Sequence, residues 1–308
     1  MMARAARLVS LPPNPSPSGG WDFRTGAGTF MPNVLWLASY PKSGNTWVRA
    51  FLHNLLVDPD EPFDINRMSA LTQGDSQAQW FRQLDPRSAT TLSNREIAAL
   101  RPRVHRLIAE SARETVMVKT HNALIAVEGV SMITLEVTAG AIYVVRNPLD
   151  VALSYAHHLG ATLDAIIELM GRTDFATPAS EHHVPEHQSD WSSHVQSWTQ
   201  RPSSALHVVR YEDLKEDPLS YFGALARFLG LAVDDARIEK AIRFSSFDAL
   251  RAQEDKGGFI ERTPAQDRFF RSGASGEWRN KLSPAQIKRM VERHRTQMAR
   301  FHYVPEGY

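Results

Sequence analysis

The sequence predicts an α/β domain with a central parallel sheet flanked by helices on both faces. Three observations predict it. Short, largely apolar runs of strand length occur at residues 34–38, 116–119, 141–145 and 206–209, as expected of strands buried on both faces. Longer segments with helical periodicity separate them, the alternation that crossover helices impose on parallel strands. Chemically useful side chains follow these runs directly, namely Lys42, Lys119, His121, Arg146 and Tyr211. In such sheets ligands bind outside the carboxyl ends of the strands, so these residues are expected to converge on one crevice.

The first element begins at Val34 with VLWLA and runs into YPKSGNTW. Val48, Phe51, Leu52, Leu55 and Leu56 then fall at i, i+3, i+4, i+7 and i+8, one face of a helix. Between strand and helix, Pro41, Lys42, Ser43, Gly44, Asn45 and Thr46 supply a tight turn, a positive charge and small polar groups. The free backbone N–H groups of the helix start point at the same spot, which suits a phosphate. The turn is not a Walker motif, because Lys42 precedes Gly44 and no glycine stands four residues before it.

Later elements follow in order. Leu92-Ser93 with Glu96 and Ile97 reads as a capping box with a hydrophobic staple. The strand at 116–119 leads into Lys119-Thr120-His121. Residues 141–158, AIYVVRNPLDVALSYAHH, read as a buried strand, Arg146 at its carboxyl end, and a helix opened by Pro148. Residues 171–190 are polar and rich in His, and read as a long surface loop. The strand at 206–209 ends at Arg210 and Tyr211, with Arg210 and Glu212 expected to form structural ion pairs. Asp217-Pro218 and Ser283-Pro284 read as cap and first-turn pairs.

YPKSGNTW, RNPLDVALSY, YEDL and RSGASGEW together resemble the PAPS-dependent sulfotransferases, which use 3′-phosphoadenosine 5′-phosphosulfate, over residues 34–282. The resemblance implies a P-loop-like fold and transfer of a sulfonate to a hydroxyl, less readily an amine, with release of adenosine 3′,5′-bisphosphate. It implies Lys42, Ser43, Gly44, Asn45 and Thr46 at the 5′-phosphosulfate, and Arg146, Ser154, Arg271, Ser272 and Gly273 at the 3′-phosphate. Trp47 and Phe247 would sandwich the adenine while Tyr211 approaches its edge. His121 would be the general base, Lys42 and Lys119 would stabilise developing charge, and Ser154 would restrain Lys42. Many relatives carry Arg-Lys-Gly where this chain has Arg271-Ser272-Gly273, and Thr is commoner at Asn45. The short dimerisation motif of animal relatives is not recognisable before Phe247.

Composition bounds the rest. The chain has 308 residues, enough for one large domain, here expected over 29–308 after a flexible extension at 1–28. Net charge is +1, which gives no general affinity for nucleic acid or anionic membrane. Cysteine is absent, so disulfides and thiolate metal sites are excluded and a cytoplasmic location is expected. No apolar run approaches the length of a membrane span, and the N-terminus lacks the apolar core of a signal peptide. The expected partner is a small-molecule, lipid or glycoside acceptor, with no metal. A P-loop kinase would need a magnesium-binding Asp at a strand end, where this chain has Arg146. A non-catalytic nucleotide-binding protein would dispense with Lys42 or His121, and both are present. Ala156, His157 and His158 stand where phenol-sulfating relatives carry aromatic residues, which suits a polar acceptor with several hydroxyls.

Overall fold

Side chains alternate faces along a strand, and here both faces are apolar, so helices must cover both. The computed structural model describes residues 33–112 and 114–308, and the extension expected at 1–28 lies outside them. Five strands form the sheet in the order β2-β3-β1-β6-β7: β1 (Val34–Ser39), β2 (Thr72–Gly74), β3 (Val116–Thr120), β6 (Thr138–Val145) and β7 (Leu206–Arg210). All adjacent pairs are parallel. A small antiparallel hairpin, β4 (Ala126–Val127) and β5 (Val130–Ser131), stands apart.

The two faces gather separate cores. Val34, Trp36, Tyr143 and Val145 point into one, with residues of α3 (Asn94–Glu110), α4 (Pro148–Leu159), α5 (Leu163–Met170), α6 (Trp191–Thr199) and α12 (Pro284–Arg300). Leu35, Leu37, Ile142 and Val144 point into the other, with α1 (Asn45–Val57), α8 (Pro218–Phe228) and α9 (Asp235–Phe244). A smaller cluster under α10 (Phe247–Gly257) joins Ala50, Leu250, Phe259 and Phe270. The fold expectation holds, with one strand of the main sheet missed, β2, three residues of TQG too short and polar to signal a strand, and the small β4–β5 hairpin not foreseen.

The expected helix starts are present. Ser93 and Glu96 form the capping box of α3, and Leu92 and Ile97 are buried together. Asp217 caps α8 with Pro218 at its start, and Ser283 with Gln286 boxes α12. Pro148 opens α4 behind the Asn147 cap. Two readings need correction. Residues 171–190 are not simply a surface loop: Val184 is fully buried, and bridges join Gln77 to His183 and Ala176 to His187. Arg210 forms its expected ion pair, with Asp213 at 2.9 Å, but Glu212 forms none among the described residues: its carboxylate accepts from the Tyr303 hydroxyl and the Asn147 amide.

The topology fixes where a ligand can sit. From β1 the chain reaches β3 on one side and then β6 on the other, so strand order reverses at β1. The connections part there, leaving a crevice beyond the carboxyl end of β1. Lys42, His121, Arg146 and Tyr211 all stand just past strand ends at that edge.

Candidate active site

The turn after β1 is held in an unusual shape. Lys42 has φ 65 and Gly44 φ 106, the left-handed region that a β-carbon disfavours. At Gly44 a β-carbon would also stand 2.6 Å from Cδ2 of Tyr211, so only glycine fits. Gly44 caps α1 with no side-chain hydrogen bond and no acidic residue in the first turn, leaving the helix N-terminus open toward the cleft. The Asn45 side chain faces inward, its Nδ2 donating to the Leu37 carbonyl at 2.8 Å and so stapling the turn to β1. Thr46 Oγ1 accepts from Arg49 at 3.2 Å.

Lys42, Gly44, Asn45, Thr46, Trp47, Lys119, His121, Arg146, Ser154, Tyr211, Phe247, Arg271, Ser272 and Gly273 all line one cleft of about 1140 Å³. Ser43 is the exception among the predicted site residues: it is fully buried behind the turn, its hydroxyl without a partner among the described residues. Any contact it makes with an anion runs through its backbone. Lys42 Nζ lies 4.2 Å from the centre of the Phe269 ring. Burial, with Lys119 and then Arg146 nearby, brings the Lys42 pKa down to about 8.

His121 Nδ1 lies 2.8 Å from the Ser39 carbonyl oxygen. A carbonyl only accepts, so Nδ1 carries the proton and Nε2 is left as the free, basic nitrogen. Burial, reinforced by Lys119, holds its pKa well below the usual imidazole range, so the ring is neutral at pH 7. The backbone around it is clamped. The Tyr143 hydroxyl donates to His194 Nδ1 at 2.8 Å, and His194 Nε2 donates to the His121 carbonyl at 3.1 Å. On either side, Thr120 and Asn122 donate to buried Asp75 at 3.1 Å and 2.9 Å, and Arg101 reaches the same carboxylate at 3.2 Å.

Arg146 ties two loops together. Its guanidinium donates to the Lys42 carbonyl and to the Ala274 carbonyl, each at 3.0 Å, and stacks 4.2 Å from the Tyr211 ring. Its Nε is buried without a partner among the described residues. The loop bearing Arg271, Ser272 and Gly273 is seated by buried Asp150, which accepts from the backbone of Gly276 and Trp278 at 2.6 Å and 3.2 Å. Gly273 has φ 63, and a β-carbon there would lie 2.3 Å from the Phe247 ring, so backbone rests directly on that aromatic. Tyr211 donates to the Gly273 carbonyl at 3.1 Å, and Trp47 packs edge-on against Tyr211 at 5.4 Å. Arg271 pairs with Glu277 at 2.9 Å. No hydrogen bond of the Ser154 hydroxyl is seen among the described residues, and it faces the cleft.

The structure adds residues that sequence reasoning passed over. Beyond Asn45, which the sequence already singled out, Arg49 and His53 continue a buried polar row at i+4 and i+8 on α1, and that row was the available signal. Arg49 grips Glu261 with both carboxylate oxygens at 2.7 Å. Burial pushes the Glu261 pKa up, but Arg49 and then Lys119 outweigh it and bring it to about 2. His157 and His158, expected to suit a polar acceptor, each commit a ring nitrogen to the protein itself. His157 Nε2 meets the Arg268 carbonyl and His158 Nδ1 the Gln266 side chain, both at 2.9 Å, fixing the segment that borders the cleft.

An anionic donor fits the strand ends, and an acceptor fits beside the free imidazole nitrogen, so these groups suit a transfer reaction between two bound molecules. A model of the sulfotransferase domain matches residues 32–302, and the chain belongs to that family. It is 24% identical over 286 residues to sulfotransferase 1B1 of dog, covering 87% of this chain and 84% of that protein. Flavonol 3-sulfotransferase of Flaveria bidentis is 26% identical over 276 residues, 84% of this chain and 80% of that one. Among solved structures, mouse sulfotransferase SULT7A1 complexed with PAP superposes with a TM-score of 0.60 at 22% identity, covering 90% of this chain and 91% of that one. Retinol dehydratase in a complex with retinol and PAP also gives 0.60 at 19% identity, covering 87% and 82%.

Proposed function

We propose that this chain, acting as one catalytic domain over residues 29–308 in the cytoplasm, transfers a sulfonate from 3′-phosphoadenosine 5′-phosphosulfate to a hydroxyl of a small-molecule, lipid or glycoside acceptor. The observation that carries the reading is the neutral, oriented His121, its Nδ1 committed to Ser39, in one cleft with Lys42, Lys119 and Arg146. The residues also fit the donor: an uncapped helix N-terminus, an orphaned Arg146 Nε, and two glycines that bring backbone to the ligand. When bound, the donor supplies an activated sulfonate on a phosphate leaving group.

The chain's own groups do the rest. His121 Nε2 takes the acceptor proton as the hydroxyl attacks. Lys42 and Lys119 neutralise charge that builds on the bridging and sulfonate oxygens. The first-turn amides of α1 hold the 5′-phosphate, and Arg146, Ser154, Arg271 and the backbone at Ser272 and Gly273 hold the 3′-phosphate. Trp47 and Phe247 flank the adenine, with Tyr211 at its edge. Ser272 brings no charge, so Arg146 and Arg271 carry the electrostatic share. The acceptor end is walled by Ser76, Gln77, Thr177, Glu186 and Gln188 with Tyr155, which favours a polar alcohol over a planar phenol.

The test is direct. Adenosine 3′,5′-bisphosphate at 100 times its Kd is expected to stabilise the protein by about 2.7 kcal/mol, with ATP much weaker. Transfer of radiolabelled sulfonate to pooled alcohols, phenols, lipids and glycosides is expected to persist in EDTA. Equal stabilisation by ATP, or a rate abolished by EDTA and restored by magnesium, would refute the assignment.

A pH profile follows from Lys42. The lysine works as a cation, so kcat/KM, which reports the free enzyme, is expected to fall as pH rises through about 8. Lys42→Arg keeps its charge over this range and is expected to carry that fall to higher pH, at a lower plateau. An alkaline limb unmoved in Lys42→Arg assigns it to another group.

A further inference from the structure

Glu186 stands out from every other acid in the cleft. Its backbone is locked on all sides. The Glu186 amide donates to Thr177 Oγ1 at 2.9 Å, and the Thr177 amide donates to the Glu186 carbonyl at 3.0 Å. The preceding Pro185 carbonyl accepts from buried Arg101 at 3.2 Å. The following His187 amide donates to Asn122 Oδ1 at 2.7 Å, and the His187 carbonyl accepts from the Ala123 amide at 2.8 Å. That last pairing lays the 185–187 segment beside residues 122–123, immediately after His121.

The Glu186 carboxylate, by contrast, takes part in no hydrogen bond and no ion pair among the described residues, and the side chain lines the cleft. The other acids there are engaged. Glu261 is held by Arg49, Glu277 by Arg271 and Lys281, and Asp150 by two backbone amides. A partly buried carboxylate that offers two acceptor oxygens on a rigid mount and has no partner among the described residues leaves its hydrogen bonds to water in the open cleft and to a ligand that displaces it. Burial raises its pKa to about 7 against the opposing pull of Lys119, consistent with a group awaiting donors.

We propose that Glu186 is the specificity-determining residue of the acceptor end, receiving two hydroxyls of a neutral polyol, such as a glycoside with a vicinal diol, while a third hydroxyl meets His121. The inference rests on the sulfotransferase reading for the orientation of the acceptor. A cationic acceptor is disfavoured because Lys42, Lys119 and Arg49 face the same cleft. A planar phenol would leave the carboxylate without donors, at the cost that any buried unsatisfied group carries.

Calorimetry tests it without depending on turnover. Adenosine 3′,5′-bisphosphate is titrated first, and failure there counts against the donor reading alone. Alkyl glycosides and their singly deoxygenated counterparts are then titrated with and without that nucleotide, into the wild type, Glu186→Gln and Glu186→Asp. The expected result is a parent glycoside that loses about 10- to 100-fold in affinity on removal of one hydroxyl, a loss of similar size in Glu186→Gln, and little further loss when the two changes are combined. Glu186→Asp retains both acceptor oxygens and is expected to fall between. Glycosides that do not bind, parent and deoxy forms that bind alike, or losses that simply add would each overturn the proposal. Unchanged thermal melting of Glu186→Gln separates recognition from misfolding.

Discussion

Replacing His121 with alanine is expected to lower kcat by about 10²- to 10⁴-fold, the usual span for a positioned general base. The expectation rests on one geometric fact: the bond from Nδ1 to the Ser39 carbonyl fixes the tautomer and leaves Nε2 basic. Single-turnover transfer from a preformed donor complex isolates the step, and stabilisation by adenosine 3′,5′-bisphosphate should survive, showing that the fold and donor cradle are intact. A His121→Ala enzyme within tenfold of wild type in that assay would remove the base from His121 and return the proton to solvent or to another group.

Arg146→Ala is expected to weaken donor binding by about 2–5 kcal/mol, the range for truncating one member of a desolvated, hydrogen-bonded charge pair. Two losses combine. The 3′-phosphate loses a guanidinium, and the carbonyls of Lys42 and Ala274 lose the group that joins their loops. Arg146→Lys should recover only part of the affinity, since an ammonium cannot reach two carbonyls and a phosphate in one plane. Nucleotide titration by calorimetry reads both variants. A Kd unchanged in Arg146→Ala would place the 3′-phosphate elsewhere and leave Arg146 as a loop tie alone.

Much of this was legible in the chain. The apolar strands announced themselves because burial on both faces demands unbroken apolar runs, and capping boxes such as Ser93 to Glu96 reproduce their sequence pattern directly. The convergence of Lys42, His121 and Arg146 on one cleft was legible because a parallel sheet delivers whatever follows its strands to one edge. The rest depended on contacts remote in sequence. Glu261 lies 212 residues from the Arg49 that holds it, and Asp150 lies 126 from the Gly276 amide it receives. Nor could the polar stretch at 171–190 reveal that Val184 would be buried, because its partners come from the segment around Ser76. The inward turn of Asn45 was equally hidden, since an amide in a phosphate-binding turn reads the same whether it faces ligand or strand.

The stitching of residues 185–187 to Arg101 and Asn122 divides the acceptor wall into fixed and replaceable positions. Pro185 and His187 present backbone to Arg101 and Asn122, which with Asp75 also brace the backbone beside His121. Glu186, between them, lines the cavity, and its backbone amide and carbonyl are both taken by Thr177. On the proposed reading, Glu186 is a position beside His121 where the side chain can be exchanged while the backbone contacts of its neighbours are kept.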